Sequence, residues 1–240
     1  MDLPFYFFVD EYWWVDFFYD KIKDMKLLLT SAGWWKSPKI GNEFLKLVDK
    51  DPSEIRIFFV VTPTKYLKKN IYIRRFLKQS RAINIPERNI KFFQLNRKIK
   101  KNDLRNIDVV FVFGGNTFEY LDRIKKTGLD KMIKAFVKKG GVYLGLSAGS
   151  YVACPTIKAA LWKHADRNTV GLKNLKGLNL VPFLITAHFE ETLRPIIEKA
   201  AKKTKREVIA LTDKQAILIK GENKKIIGSG KKNIYNFSKK

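Results

Sequence analysis

Cysteine and histidine are nearly missing from this chain: one cysteine, Cys154, and two histidines, His164 and His188, in 240 residues. A lone thiol excludes an intrachain disulfide. No run of cysteines and histidines has metal-ligand spacing, so structural zinc is not expected and no metal is assigned. A reducing cytoplasmic setting is the expectation. An uninterrupted apolar run of membrane-spanning length is also lacking. The most aromatic stretch, residues 1–24, holds Phe5-Tyr6-Phe7-Phe8 and a second cluster from Tyr12 to Tyr19, but Asp10, Glu11, Asp16 and Asp20 break it. It has neither the basic front nor the apolar centre of a signal peptide. Met25 to Thr30 then reads as a fresh start, a first strand running into the turn Ser31-Ala32-Gly33. Residues 1–24 are therefore expected to be a leader outside the fold, and residues 25–240 a single α/β domain.

Acidic residues are the other shortage, with 23 Asp and Glu against 48 Lys and Arg and a formal charge of +25. Such an excess can mark a nucleic-acid or membrane-surface binder. Here about three lysines occur for each arginine, scattered along the chain among many Ile, Asn and Phe. An AT-rich coding sequence yields that pattern without selection for binding, so nucleic acid is not the expected partner. The densest basic stretch, residues 65–101, places Lys68, Lys69, Arg74, Arg75, Lys78 and Arg81 on an expected helix with Leu67, Ile71 and Leu77 on its other side. That reads as a solvated helix face.

Strands and helices alternate after Met25. Strands are expected at 26–30, 56–62, 91–95, 108–113 and 142–146, each a short β-branched or aromatic run closed by Gly, Pro or Asn. The clearest helix carries Leu129, Met132, Ile133, Phe136 and Val137 at i, i+3, i+4, i+7 and i+8, with Gly140 following it. After His188, a helix at 195–203 precedes strands at 208–211, 215–220, 225–227 and 233–237. The pattern implies a three-layer, doubly wound, mainly parallel α/β sheet with a short antiparallel C-terminal extension.

Ligands gather at the carboxyl ends of the strands in such a sheet. Three segments end there. Gly141-Val142-Tyr143-Leu144 runs into Gly145-Leu146-Ser147-Ala148-Gly149, a strand, sharp turn and helix that expose and aim the Ser147 hydroxyl as a nucleophile elbow does. The strand 108–113 ends in Gly114-Gly115-Asn116-Thr117, where two glycines let backbone N–H groups approach a bound atom. Beside a serine elbow they form half of an oxyanion hole, with the Ala148 amide as the other half. The strand Phe183 to Thr186 ends in Ala187-His188-Phe189. His164 lies in a polar stretch that reads as a solvated loop, so His188 is the general-base candidate. An acid must hold the imidazole tautomer. Asp166 shares the polar loop with His164, whereas Asp213 lies just past the apolar run Ile209-Ala210-Leu211, and Asp213 is the better orienter. Cys154, beyond the elbow, reads as a small buried residue.

Gly114-Gly115-Asn116-Thr117-Phe118, the pentapeptide at Ser147, Ala153-Cys154-Pro155-Thr156-Ile157, Ala187-His188-Phe189 and Ile209 to Asp213 together resemble the serine peptidases typified by aspartyl dipeptidase, with cyanophycinase more distant. The resemblance spans Met25 to about Gly228. It implies a class I glutamine amidotransferase-like fold with no cofactor, Ser147 as nucleophile, His188 as general base, Asp213 as triad acid, and Gly115 and Ala148 as oxyanion donors. It also implies a small peptide substrate met by Asn116 and by the segment after His188. Where the family carries an arginine for the substrate's acidic residue, this chain has Thr192, with Arg194 two positions on. Arg194 as a shifted carboxylate clamp and Arg194 as a surface residue both stay open. Glu190 and Glu191 are candidates for a substrate amino group, or for favouring a helix N-terminus. An esterase or amidase with the same triad, and a degenerate polyanion binder, are the competing readings. Monomer and homodimer are equally compatible with the sequence.

Overall fold

The computed structural model describes residues 24–163 and 166–236. Residues 1–23 of the aromatic leader and His164 lie outside the described residues. The principal sheet has seven strands in the order β3-β2-β4-β5-β1-β8-β9, formed by β1 (Lys26–Thr30), β2 (Ile57–Val60), β3 (Ile90–Phe93), β4 (Val109–Val112), β5 (Val142–Leu146), β8 (Gln215–Lys220) and β9 (Asn223–Gly228). The first five run parallel to their neighbours, and β8 pairs antiparallel with β1 and with β9. Every residue of β2, β4 and β5 is buried, which explains why these strands read as unbroken apolar runs rather than as alternations. The helices are α1 (Pro38–Val48), α2 (Ile71–Ala82), α3 (Thr117–Thr127), α4 (Leu129–Lys138), α5 (Ala148–Ala153) and α6 (Arg194–Ala201). No helix among the described residues is long and apolar enough to cross a membrane.

Aromatic side chains bind α2 to the sheet. Phe59 of β2 stacks on Phe76 of α2 with centroids 4.7 Å apart and planes 3° apart, and Phe111 of β4 tilts against both at 4.9 and 4.8 Å. Each such ring contributes about 1.5–3 kcal/mol through burial and each pair about 0.5–1.5 more. Helix α4 keeps Leu129, Ile133 and Val137 in the core and ends as its sequence predicts. Gly140 at φ +82° donates to Val137 O and Gly141 to Phe136 O, the paired bonds of a Schellman stop.

Two departures from the sequence reading have plain causes. Residues 65–81 do not form one helix: Leu67–Lys69 is a separate 3-10 turn, and the Asn70 side chain caps a new helix by accepting from the Tyr72 and Ile73 amides. That start sets the phase so that Ile73, Phe76 and Leu77 face the core while Ile71 is 65% exposed. The C-terminal strands also divide. β8 and β9 extend the main sheet, whereas β6 (Leu184–Thr186), β7 (Val208–Ala210) and β10 (Asn233–Tyr235) form a second sheet in the order β10-β7-β6, with β6 parallel to β7.

Candidate active site

Ser147 follows β5 directly and precedes α5, at φ +49° and ψ −106°. A non-glycine residue in this region is strained and persists only where its surroundings hold it. The end of β1 does the holding. The Ser147 amide donates to Thr30 O at 2.9 Å, the Ser150 hydroxyl donates to Thr30 O and Gly145 O at 2.8 and 3.0 Å, and the Thr30 hydroxyl donates to Gly145 O at 3.0 Å. The flanking glycines are required by close approach. A Cβ on Gly149 would lie 2.0 Å from Val112 O, and one on Gly145 would lie 2.8 Å from the Gly149 carbonyl. The helix thus presses onto β4 and β5 so tightly that Ser147 is turned outward.

The parallel pairing of β6 with β7, Thr186 opposite Ala210, brings the segments after both strands to the same rim. His188 lies two residues past β6 at φ +54°. The segment that carries it is tied to the elbow helix through Tyr151 on α5, whose hydroxyl accepts from the Ala187 amide at 3.0 Å and lies 3.3 Å from Thr186 Oγ1. Burial pushes the Tyr151 phenol up to about 12, so it stays a neutral strut. Asp213 is presented by a turn that Gln215 tightens, its side chain accepting from the Thr212 amide at 3.1 Å and donating to Gly230 O and Lys231 O.

These supports bring three chain-distant side chains into one hydrogen-bonded series. Ser147 Oγ lies 2.9 Å from His188 Nε2, and His188 Nδ1 lies 2.6 Å from Asp213 Oδ1. Ser31, at the end of β1, joins them by accepting from the His188 amide at 2.7 Å and donating to Asp213 Oδ1 at 3.0 Å. Lys36 donates to the other carboxylate oxygen, Asp213 Oδ2, at 2.6 Å. The His188 hydrogen bond, helped by those of Lys36 and Ser31 and opposed by partial burial, holds the Asp213 carboxyl well below the usual carboxylate range. A carboxylate fixed as an anion at Nδ1 keeps the Nδ1–H tautomer, which leaves the Nε2 lone pair facing the serine hydroxyl.

Gly114 and Gly115 lie beside the elbow, and a Cβ on Gly114 would be 3.6 Å from Ser147 Cβ. Gly115 has φ +151°. Among the described residues neither the Gly115 nor the Ala148 amide donates a backbone hydrogen bond. Asn116 is used locally: its Oδ1 caps α3 by accepting from the Phe118 and Glu119 amides at 3.0 Å, and its Nδ2 donates to Arg167 O at 2.8 Å. Asp166 accepts from the Thr117 amide and hydroxyl at the same helix start. Glu190 and Thr192 are exposed on the segment after His188. Arg194 is engaged elsewhere. Its guanidinium forks onto Glu191 at 2.7 and 2.9 Å, donates to Asn233 Oδ1 and Tyr235 OH, and lies over the Phe189 ring. Arg194 and Glu191 are thus committed to each other, and Arg194 also to β10.

Lys163 and the pair Ser31 and Lys36 are site neighbours that the sequence reading missed. Lys163 donates to Ala187 O, the carbonyl just before His188, and its burial there pushes the ammonium down. The signal for Ser31 and Lys36 was their place just past β1, at the same rim as Ser147. Cys154 is 1% exposed, its thiol pushed up to about 12 by burial. No group of three or more His, Cys, Asp or Glu among the described residues is placed to hold a metal.

A strand-borne serine on a strained turn, an imidazole and a carboxylate in series on a mainly parallel α/β sheet define the class of the site as a Ser–His–Asp constellation. The family profile of peptidase family S51 matches residues 27–227, and the chain belongs to that family. It is 32% identical over 134 residues to an uncharacterized peptidase of Listeria monocytogenes, an alignment spanning 54% of this chain and 62% of that one. It is 39% identical over 90 residues to peptidase E of Escherichia coli, covering 38% of each. An uncharacterized peptidase of Pasteurella multocida is 28% identical over 185 residues, 73% of this chain and 86% of its own length. The crystal structure of a candidate peptidase E protein from Listeria monocytogenes superposes with a TM-score of 0.70 at 22% identity, over 86% of this chain and 99% of the other, which shows the fold.

Proposed function

We propose that this protein is a serine peptidase that cleaves short peptides through an acyl-enzyme on Ser147. The carrying observation is the series Ser147 Oγ–His188 Nε2–Asp213, with links of 2.9 and 2.6 Å. His188 Nε2 takes the hydroxyl proton as Oγ forms a bond to the scissile carbonyl carbon. The carbonyl oxygen becomes an oxyanion facing the Gly115 and Ala148 amides, an interaction whose loss typically costs about 3–4 kcal/mol. The imidazolium then gives its proton to the leaving nitrogen, the C–N bond breaks, and the ester remains on Ser147. Water, deprotonated by His188, releases the acid and restores the serine.

Substrates of the Asp-X dipeptide type are the favoured class. The net charge of +25 draws anionic substrates, and Lys36 and Lys163 place cations at the rim. Purified full-length protein incubated with Asp-Leu, Glu-Leu and Ala-Leu tests this. Release of leucine from Asp-Leu ahead of Ala-Leu, abolished in Ser147→Ala, is expected. Turnover of nitrophenyl esters with no dipeptide cleaved would replace the peptidase reading with an esterase, and equal rates on all three dipeptides would remove the acidic preference.

A further inference from the structure

Asp213 has more partners than a triad acid needs. Oδ1 accepts from His188 and Ser31, and Oδ2 accepts from the ammonium of Lys36, a residue 177 positions away in sequence. A lysine surrenders side-chain entropy when held in one geometry, and exposed pairs are commonly weak. Here the backbone that carries it is fixed on both sides. Trp34 is 5% exposed and stacks on Phe44 of α1 at 5.2 Å, and the Ser37 amide donates to Trp34 O at 3.1 Å just before Pro38 opens α1. The turn Gly33 to Ser37 therefore delivers the ammonium to one carboxylate oxygen.

Resting on the Ser147–His188–Asp213 reading, we propose that Lys36 is a positioning residue of the active site: it locks the Asp213 carboxylate against rotation and, by partly neutralising it, sets the pH at which His188 becomes available as a base. With both oxygens bonded, the carboxylate cannot turn about its Cβ–Cγ bond without breaking contacts at both ends. An unneutralised carboxylate at Nδ1 would favour the imidazolium more strongly, and an imidazolium cannot accept the serine proton. The lysine thus moderates the same anion that orients the ring.

Other charged groups among the described residues also bear on this cluster. Lys163, on the turn after the 3-10 segment Lys158–Leu161, feels Asp213 and also Asp166 and Glu190. Ser31 and Ser147 are the uncharged neighbours. Changing Lys36 alone alters none of these residues, so the difference reads its charge.

The chain has two histidines, so a His164→Gln background leaves His188 as the single imidazole for an NMR titration. In that background Lys36→Met is expected to move the His188 titration midpoint up by about half to one pH unit, the size of a screened charge removed from a few ångströms away. Lys36→Arg keeps a cation there and is expected to return the midpoint to within about 0.2 units of the parent. The acid limb of kcat/KM on a dipeptide or ester substrate is expected to move with the midpoint, while thermal melting shows all variants folded. A midpoint unmoved in folded Lys36→Met, or moved equally in Lys36→Arg, overturns the proposal. The NMR readout needs no turnover: a midpoint that moves in a protein cleaving nothing would sink the hydrolase reading and keep the Lys36–Asp213–His188 coupling.

Discussion

Replacing Asp213 by asparagine exchanges one carboxylate oxygen for an NH2 group and places a donor where only acceptors fit. The native carboxylate accepts at Oδ1 from His188 at 2.6 Å and Ser31 at 3.0 Å, and at Oδ2 from Lys36 at 2.6 Å. An asparagine amide has one oxygen. If that oxygen faces His188, the NH2 group points at the Lys36 ammonium, donor against donor beside a positive charge. If the amide turns over, its oxygen satisfies Lys36 and its N–H points at His188 Nδ1. The second orientation is preferred because an ammonium repels an amide N–H. It forces the imidazole into the tautomer with hydrogen on Nε2, where no lone pair remains for the Ser147 proton. Loss of a triad carboxylate by this route lowers kcat about 10,000-fold. At about 1.36 kcal/mol per decade this is roughly 5.4 kcal/mol of transition-state stabilisation. In the proposed mechanism Asp213 touches His188 rather than the substrate, so KM is expected to stay within a few-fold. Steady-state kinetics on a dipeptide or chromogenic ester, with circular dichroism to confirm folding, makes the measurement. A kcat within about tenfold of the parent in a folded Asp213→Asn protein would refute the reasoning.

Three further outcomes follow from the geometry. Asp103 accepts a bidentate Arg97 fork at 2.7 and 2.9 Å with Lys91 and the Lys100 amide beside it, and its carboxyl, like that of Asp213, is held well below the usual range chiefly by the hydrogen bonds of those partners. A depressed folded-state value means stability fully present above the unfolded value near ~3.9 and lost as pH falls below it, so melting temperature should be flat from pH 7 to 5 and drop beneath pH ~4, with Asp103→Asn losing about 1–2 kcal/mol at neutral pH and showing a shallower acid drop. A variant that melts along the parent's acid curve would contradict this. Cys154 should resist a thiol reagent in the native protein and react fully once unfolded in guanidinium, whereas fast native labelling would show that the elbow helix opens. Arg194→Ala should lower the melting temperature by releasing α6 from β10 while leaving the ratio of Asp-Leu to Ala-Leu cleavage unchanged; a collapsed ratio would make Arg194 the acid-recognising group.

The strands were legible because burial on both faces writes an unbroken apolar run, as in Val109–Val112 and Val142–Leu146. The elbow was legible because Gly145 and Gly149 answer to contacts close in sequence and in the adjacent strand. Asp213 was separable from Asp166 since only Asp213 follows an apolar strand, whereas Asp166 is spent at the start of α3. What escaped is what arrives across the sheet. Ser31 and Lys36 reach Asp213 over 182 and 177 residues; their place just past β1 marks the rim, but no local pattern names the partner. Arg194 looked available beside Thr192 because its partners Asn233 and Tyr235 come 39 and 41 residues later. Periodicity alone extends the helix back past Ile71 because it overlooks a cap, and Asn70 resets the phase there.

Whether Ser147 is an activated nucleophile decides the proposed chemistry most directly. Treating the full-length protein with a fluorophosphonate and reading intact mass followed by peptide mapping measures this in one step. A single adduct on Ser147, absent in Ser147→Ala and slowed by at least about a hundredfold in His188→Ala, is the predicted result. A protein that takes up no reagent at Ser147, or labels equally well without His188, would contradict the account.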